Sequence, residues 1–255
     1  MDKPSLRRVD VAGIPISDCH LEDLQGIIGA AITSRNRLHI ATVNLDFLRL
    51  AARRPALRAV LRHQSLCVAD GWPVLALARR AGLTSRERVT GSDLVPRLCT
   101  WAAASGWRLG FVGGGERTIA RVANVVSNTY GASVAGHWLP YYRSADAAIV
   151  RDPVLANQIR AAKADILLVA LGCPKQEMWL AENLSASGAV VGIGIGASLD
   201  FLVGAVSRAP NWIQTLHLEF FYRALLEPRR LLSRYSSDFW FLLHLLARQR
   251  HQAKR

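Results

Sequence analysis

The sequence predicts an α/β protein with a mostly parallel sheet flanked by helices, followed by a helical C-terminal appendage. Short apolar runs recur along the chain, and helix-length amphipathic segments separate them, which is the pattern of parallel strands with crossover helices. Several of these runs are apolar at nearly every position, as strands buried on both faces are. From about residue 208 onward no strand-like run occurs, so the appendage is predicted to begin there.

Strands and helices are predicted to alternate in a regular order. Helix starts are readable at three places: Asp18 precedes HLEDLQGIIGAAI, Ser92 and Asp93 precede LVPRLCTWAAA, and Asp152-Pro153 precedes VLANQIRAAKA. In an open parallel sheet, ligands bind beyond the carboxyl ends of the strands, so the residues directly after each strand are the candidate site residues. The six predicted strands are 38–43, 65–69, 108–113, 133–138, 165–171 and 189–195.

The chain carries a strongly positive charge. It has 255 residues, with 32 Lys or Arg against 19 Asp or Glu, a formal net charge of +13. This charge indicates an anionic partner, such as nucleic acid, an acidic membrane surface or a phosphorylated substrate. The alternative is an arginine-rich genome, since 28 of the 32 basic residues are Arg. The composition, 51% hydrophobic and 20% charged, excludes the disordered and fibrous classes.

Membrane-spanning, secreted and disulfide-linked classes are also disfavoured. No stretch approaches the roughly 18 to 20 uninterrupted apolar residues of a spanning helix, and the first ten residues, MDKPSLRRVD, lack the apolar region of a secretory signal. The cysteines, Cys19, Cys67, Cys99 and Cys173, are scattered and form no CxxC pair. This spacing predicts neither a disulfide framework nor a metal site, so a protein kept in the reducing cytoplasm is expected.

Residues 208–255 form the predicted appendage to an α/β core of residues 1–207. The segment carries nine basic and three acidic residues, and this net charge of +6 is nearly half of the excess of the chain. Two helices are predicted, separated at Glu227-Pro228, because proline ends or kinks a helix. Residues 239–250, FWFLLHLLARQR, combine an apolar face with a basic end, which favours attachment to an anionic membrane surface. The alternative is an oligomer interface or packing on the core.

Polar side chains follow the first two predicted strands. Thr42 and Asn44 end the 38–43 strand, where they are suited to bind hydroxyls or phosphates, or alternatively to satisfy a turn and cap the next helix. Asp70 follows the 65–69 strand and precedes a Gly-Trp-Pro turn. Partial desolvation there would raise the pKa of a carboxyl and make it a better base. The alternative is again a helix cap.

Three later strands also end in candidate binding residues. Gly113 and Gly114 open a helix and allow backbone N–H groups to approach a phosphate, although ligand-free glycine turns are common. Lys175 is suited to neutralise phosphate and Gln176 to donate and accept hydrogen bonds, whereas a solvated Lys175 and Glu177 are the alternative. The run GIGIGAS (192–198) predicts either tight strand packing or a floor under a ligand.

Eight blocks of the sequence, taken in order, resemble the WecG/TagA/CpsF family of bacterial glycosyltransferases over roughly residues 8–240. They are ATVNLDFL, VADGWPV, RVTGSDL, FVGGGER, LGCPKQEMW, GIGIGASLDFLVG, RAPNW and LEFFYRALLEPRRLLSRY. The resemblance implies a Rossmann-like fold and the inverting, metal-independent transfer of a sugar from a UDP-sugar to a polyprenyl-diphosphate-linked saccharide. The first block departs from the family pattern, because many members have proline after the threonine.

The resemblance also implies roles for individual residues. Asp70 corresponds to the proposed general base, and Thr42, Asn44 and Gln176 fall on positions linked to binding or catalysis. The C-terminal arginines fall on the segment that closes over the active site and touches the membrane. Because the chain contains no DxD motif for a metal, cationic side chains are expected to stabilise the departing diphosphate. The arginines available for this are Arg223, Arg229 and Arg230.

These expectations define one leading hypothesis and two rivals. The leading one is a cytoplasmic enzyme, peripheral on the inner face of the cell membrane, with no cofactor and no nucleic acid partner, acting in surface polysaccharide synthesis. The first rival is another Rossmann-like enzyme such as an oxidoreductase, disfavoured because GxGxxG is missing. The second is a basic nucleic-acid-binding protein, disfavoured because no binding module is recognisable. A homo-oligomer stays open.

Overall fold

A computed structural model describes residues 6–63, 65–140, 151–206, 210, 222 and 228–252. The strands are β1 (Arg8–Val11), β2 (Ile14–Ser17), β3 (Leu38–Val43), β4 (Ser65–Ala69), β5 (Arg108–Gly113), β6 (Ser133–Trp138), β7 (Ile166–Ala170) and β8 (Val191–Gly194). The helices are α1 (Asp23–Ser34), α2 (Leu45–Arg53), α3 (Pro55–His63), α4 (Trp72–Arg80), α5 (Gly91–Ser105), α6 (Glu116–Tyr130), α7 (Pro153–Ala162), α8 (Lys175–Ser187), α9 (Ser198–Leu202) and α10 (Pro228–Gln252).

The main sheet contains six parallel strands in the order β4-β3-β8-β7-β5-β6. All six strands predicted from the sequence are present, and the last two are shorter than predicted by one or two residues at each end. Their central positions are fully buried, as continuous apolar runs require. The predicted α/β fold class is therefore confirmed.

Helices cover both faces of the sheet. Side chains alternate along each strand, so that Ile40 and Phe111 pack on the side of α1, α5, α6 and α9, whereas Ala41 and Val112 face the side of α2, α3, α7 and α8. Each face therefore has its own hydrophobic core. This two-sided burial makes the sheet a rigid platform for the loops at its carboxyl edge.

Two neighbouring strands, β5 and β7, are followed by helices on opposite faces of the sheet. From β5 the chain continues into α6 on one face, and from β7 it continues into α8 on the other, although β5 and β7 pair directly. Where adjacent parallel strands connect to opposite faces, their loops diverge and leave a crevice at the carboxyl ends. The topology therefore places a crevice between the β5–α6 and β7–α8 loops.

The sequence did not predict the antiparallel hairpin of β1 and β2. Each strand has only four residues, and β2 contains Pro15, so the local β signal is weak. The turn at Ala12-Gly13 has positive φ at both positions, as a two-residue hairpin turn requires. Ile14 and Ile16 are fully buried, and β2 contacts α3 and β4. Tertiary packing therefore stabilises the hairpin.

The predicted helix starts have mixed outcomes. Asp152 caps α7 as predicted, because its side chain accepts a hydrogen bond from the Leu155 N–H at 3.0 Å. The prediction for Asp18 is wrong, since α1 begins at Asp23 and the Asp18 carboxylate instead accepts hydrogen bonds from the backbone N–H groups of residues 84 and 85. α5 begins one residue before Ser92, at Gly91, and Thr90 is its cap.

α10 packs on the core through a buried ion cluster. The Arg49 Nε of α2 donates to Asp238 Oδ1 of α10 at 2.7 Å, and the Arg49 guanidinium also pairs with Asp46. Apolar side chains of α10, among them Phe241 and Leu245, pack against the core beside α2 and α3. The helix start at Pro228 agrees with the predicted break, whereas most of the segment from 207 to 227, including the predicted first helix of the appendage, lies outside the described residues.

Candidate functional site

A cavity of about 470 Å³ lies at the carboxyl ends of β5, β7 and β8, where the topology places the crevice. It is large enough for a nucleotide-sized ligand. Three of the candidate residues predicted from the sequence, Gly113, Gly114 and Lys175, line it. The other lining residues are Gly115, Pro140, Ala170, Leu171, Gly172, Gly196, Ala197, Leu199 and Asp200.

The glycine turn after β5 forms one wall of the cavity. A Cβ at Gly113 would lie 2.8 Å from the Ala170 carbonyl oxygen, and both Gly113 and Gly114 have positive φ, so only glycine fits this close approach to β7. α6 starts directly after the turn, and its N-cap Gly115 provides no side-chain hydrogen bond. The first N–H groups of this 15-residue helix therefore favour an anion at this wall.

Two opposite charges line the same cavity. Lys175 is the first residue of α8, whose N-cap Pro174 also provides no side-chain cap, so a cation and the positive end of a helix dipole lie together. Asp200 lies on the cavity wall as well, and its Oδ1 accepts a hydrogen bond from Thr118 Oγ1 at 2.6 Å. The cavity therefore offers both an anion-binding part and a carboxylate suited to accept hydrogen bonds from hydroxyl or N–H groups.

Gln176 lies directly beneath the cavity floor. It is 2% exposed, its Oε1 accepts a hydrogen bond from the Gly196 N–H at 3.0 Å, and its Nε2 donates to Glu177 Oε1 at 2.7 Å. Glu177 has no exposed surface, so the alternative that it is solvated is wrong. Burial raises the pKa of Glu177 to about 7, although the hydrogen bond from Gln176 acts in the opposite direction.

The glycines of the GIGIGAS run serve both of the purposes that the sequence left open. Gly192 lies under α8, where a Cβ would come within 2.4 Å of Leu180, and Gly194 is in the same close contact with Gln176 and Glu177. Gly196 lines the cavity. The first two glycines therefore allow tight packing of α8 on β8, and the third forms part of the floor.

Thr42, Asn44 and Asp70 lie at the carboxyl ends of the paired strands β3 and β4. Thr42 Oγ1 donates to the Gly194 carbonyl oxygen at 3.4 Å, which links it to the strand that packs on Gln176. Asn44 caps α2, since its Oδ1 accepts a hydrogen bond from the Phe47 N–H at 3.3 Å. This cap leaves the Nδ2 hydrogens of Asn44 to other partners.

Asp70 begins the loop between β4 and α4. Its N–H donates to the Val43 carbonyl oxygen at 2.9 Å, which places Asp70 beside Asn44 at the sheet edge. The side chain is partly buried, and Gly71 after it has a φ of 91°. α4 starts at Trp72 with Gly71 as its N-cap, so the structure does not make Asp70 the cap of this helix.

The three candidate arginines are not all described. Arg223 lies outside the described residues, and Arg229 and Arg230 lie in the first turn of α10, where the structure describes only the helix. Their placement at the cavity therefore stays a prediction. The middle of α10 is held on the core by the ion pair between Asp238 and Arg49.

Three residues of this region were not predicted from the sequence. Thr118, Glu177 and Asp200 were not candidates, although LGCPKQEMW and GIGIGASLDFLVG contain the latter two. For Asp200, the signal was an acidic residue shortly after a glycine-rich strand end. No local signal marked the burial of Glu177, because Lys-Gln-Glu at a helix start is usually a solvated turn.

The described residues contain neither a candidate membrane-spanning helix nor a candidate metal-binding cluster. None of the helices in this part of the chain is long and apolar enough to cross a membrane. Among the same residues, no group of three or more His, Cys, Asp or Glu side chains is arranged to hold a metal ion.

An open parallel sheet with an anion-binding cavity at its carboxyl edge is typical of α/β proteins that act on phosphorylated ligands. Residues 9–255 match the glycosyl transferase WecG/TagA/CpsF family. The chain belongs to this family and is a glycosyltransferase, which confirms the resemblance noted in the sequence.

The chain is similar to curated relatives from Bacillus and Staphylococcus. Each is named N-acetylglucosaminyldiphosphoundecaprenol N-acetyl-beta-D-mannosaminyltransferase. The relatives from Bacillus spizizenii and Bacillus subtilis are each 30% identical over 192 residues, which are 75% of this chain and 72% of the relative. One from Staphylococcus aureus is 25% identical over 232 residues, which are 90% of this chain and 89% of the relative. These matches span most of each protein.

Proposed function

We propose that this glycosyltransferase moves a sugar from a UDP-sugar to a polyprenyl-diphosphate-linked saccharide, with inversion and without a metal ion. The observation that carries the proposal is the cavity, which combines two helix N-termini, Lys175 and Asp200. The names of the relatives support the acceptor class, because they contain a diphosphoundecaprenol-linked N-acetylglucosamine. They also support N-acetylmannosamine as the first sugar to test.

The donor is proposed to bind in the cavity. Its diphosphate would accept hydrogen bonds from N–H groups at the Gly113-Gly114 turn and charge neutralisation from Lys175, since both line the cavity. The Asp200 carboxylate, held by Thr118, would accept hydrogen bonds from the ribose hydroxyls. Opposite ends of the nucleotide would thereby meet groups of opposite character, which fixes the direction of binding.

Asp70 is proposed to act as the general base on the acceptor. It would take the proton from the acceptor hydroxyl, whose oxygen then attacks the anomeric carbon from the face opposite the diphosphate. The new glycosidic bond forms as the bond to the diphosphate oxygen breaks, and UDP leaves with that electron pair. Asn44 at the neighbouring strand end is proposed to orient the acceptor or the sugar. Thr42 on β3 and Gln176 on α8 are proposed to hold the carboxyl edge of the sheet in place, through their hydrogen bonds to Gly194 and Gly196.

The charge on departing UDP is proposed to be stabilised by cationic side chains. Lys175 lies in the cavity, and Arg223, Arg229 and Arg230 of the appendage would close over the leaving group. Arginine suits this role because its guanidinium binds phosphate oxygens in a bidentate geometry. In this mechanism the cations take the place of a metal ion.

The acceptor lipid places the reaction at a membrane surface, and α10 is proposed to contact the inner face of that membrane. One side of this helix packs on the core, while Phe239, Trp240 and Leu243 are exposed on the other, Trp240 by 70%. Aromatic and leucine side chains on a helix with basic residues are suited to the interfacial region of an anionic bilayer. A face of a second subunit is the alternative partner.

Product analysis tests this proposal directly. Purified protein is incubated with UDP-N-acetylmannosamine and a synthetic polyprenyl-diphosphate N-acetylglucosamine, and then with a panel of other UDP-sugars, and the products are identified by mass spectrometry. We expect one added N-acetylhexosamine or hexose on the lipid-linked acceptor. Absence of transfer with every UDP-sugar, alongside transfer from another nucleotide-sugar, would contradict the proposed donor.

A matched pair of variants tests the proposed base. Asp70→Asn keeps the shape of the side chain but removes its basicity, so transfer should fall by about 100-fold or more. The control is Asp10→Asn in the β1–β2 hairpin, whose carboxyl group is exposed and whose change should leave transfer unaltered. Near wild-type transfer by a folded Asp70→Asn variant would exclude Asp70 as the base.

A further inference from the structure

Glu177 is a buried acidic residue that the proposed mechanism does not use. It has no exposed surface, and among the described residues its Oε2 has no hydrogen-bond partner. A carboxyl group in this position is costly, because it loses its hydration and regains only part of its hydrogen bonding. The side chains of Gln176 and Cys173 hydrogen-bond to it, and the thiol of Cys67, on β4, lies close enough to interact with its charge. This cost is consistent with a positional role for Glu177.

The hydrogen bonds of Gln176 define that role. Its Oε1 accepts from the Gly196 N–H, and its Nε2 donates to Glu177 Oε1. If the amide were reversed, Nε2 would face the Gly196 N–H, which is repulsive whatever the protonation state of Glu177, and Oε1 would face Glu177 Oε1, which is repulsive whenever Glu177 is ionised. Glu177 and Gly196 therefore both favour the orientation in which Oε1 of Gln176 points to Gly196 and Nε2 points to Glu177.

The neighbouring strand is shaped to accept this pair of side chains. A Cβ at Gly194 would lie 2.5 Å from Glu177 Oε1 and 2.6 Å from Gln176 Nε2, so the pair packs directly on the backbone of β8. The Gly194 carbonyl oxygen accepts from Thr42 Oγ1 on β3. A shift of the pair would therefore move both Thr42 and the Gly196 segment of the cavity floor.

We propose that Glu177 is a positioning residue, which holds the Gln176 amide in one orientation and thereby fixes the Gly196–Ala197 floor of the donor cavity. Its effect on catalysis rests on the proposed function, since that function places the donor in this cavity. Its effect on the Gln176 amide does not depend on any substrate. The two effects are therefore separable by experiment.

The alternative is a purely structural role for Glu177. Buried charged groups are often replaced by apolar residues of similar size with little loss of stability. If Glu177 only filled space, Glu177→Met would leave the Gln176 amide and the cavity floor unchanged. If Glu177 positions Gln176, the same variant would release the amide even when the protein stays folded.

The test follows the Gln176 side-chain NH₂ signal by ¹⁵N NMR, with the signal assigned by its loss in Gln176→Met. In the wild type we expect slow hydrogen exchange, in contrast to the exposed Gln25 of α1. Glu177→Gln keeps an acceptor oxygen and should retain the slow exchange, as should the control Glu182→Gln on the same helix. Glu177→Met should accelerate it. Exchange of Gln176 as fast as that of Gln25 in the wild type would overturn the proposal without any variant.

Binding of UDP, measured by calorimetry, gives the second measurement. Because Glu177→Met would release the Gln176 amide and the cavity floor, it should weaken UDP binding by about 10-fold, the equivalent of one lost hydrogen bond. Glu177→Gln should stay within about 3-fold. In the Gln176→Met background, Glu177→Met should add less than about 2-fold, because the residue acts through Gln176. An equal loss in both backgrounds would overturn the positioning role. Failure of the wild type to bind UDP, with the expected NMR behaviour intact, would instead contradict the proposed donor.

Discussion

Replacing Glu177 by glutamine should change how the stability of this protein depends on pH. Burial raises the pKa of Glu177 from the ordinary 4.5 to about 7, whereas burial lowers the pKa of His39, on β3, from 6.5 to about 4. The folded state therefore favours the protonated form of Glu177 and the neutral form of His39. Both shifts have the same physical cause, because each buried group is disfavoured in its charged form.

The two groups affect stability in opposite directions. The contribution of Glu177 is complete below pH 4.5 and is lost as the pH rises to about 7, while that of His39 is complete above pH 6.5 and is lost as the pH falls to about 4. Each shift corresponds to about 3 kcal/mol of unfolding free energy. In the wild type, the changes in unfolding free energy with pH that these two groups cause are opposite in sign and largely cancel between pH 4.5 and 6.5.

Glu177→Gln removes the pH dependence of stability that is due to Glu177 and keeps the one that is due to His39. Relative to the wild type, the variant should gain about 3 kcal/mol of unfolding free energy between pH 4.5 and 7.5. Every other group titrates in both proteins, so the difference between them isolates Glu177. Urea unfolding followed by circular dichroism at four pH values across this range measures the difference.

The control for this comparison is Glu182→Gln, which changes a more exposed residue of α8 that pairs with Arg151 on the surface. Its difference from the wild type should stay nearly constant over the same pH range. A constant difference for Glu177→Gln as well would show that Glu177 titrates as an exposed carboxyl does, and the reasoning from burial would be refuted.

Three further predictions follow from the site and the appendage. Transfer should be unchanged by EDTA, and a strict requirement for added Mg²⁺ or Mn²⁺ would contradict the metal-free mechanism. Gly194→Ala should destabilise the protein by about 1 to 3 kcal/mol and weaken UDP binding, because the added Cβ would overlap Gln176 and Glu177. The control is Gly26→Ala on α1, where the added Cβ has open space, and it should stabilise the protein by about 1 kcal/mol in thermal unfolding. Joint replacement of Phe239 and Trp240 by serine should reduce flotation with anionic vesicles while the fold is kept, and unchanged flotation would place the membrane contact elsewhere.

Local sequence patterns were sufficient for most of the fold. A strand buried on both faces has to be apolar at nearly every position, and this requirement made the buried strands of the main sheet readable. The hairpin was missed because its four-residue strands are stabilised by Ile14 and Ile16 in the core. Asp18 was misassigned because its carboxylate binds N–H groups 66 and 67 residues away, and such partners leave no local mark.

The candidate site was partly predictable for a similar reason. Gly113, Gly114 and Lys175 follow strand ends, and the carboxyl edge of a parallel sheet is where such residues meet. Asp200 belongs to the same cavity, but it follows its strand by several residues and carries no periodic signal. The binding roles of the candidate residues stay predictions until the variants above are measured.

The sequence by itself determined the alternation of strands and helices, the positive charge and the family, since each depends on residue types and their order along the chain. Only the tertiary structure decided which segments meet. It paired Thr42 with Gly194 across 152 positions and Arg49 with Asp238 across 189, and it buried Glu177 under β8. Contacts of this kind depend on the order of the strands in the sheet and on the faces that the helices cover, and no local pattern of residues encodes either.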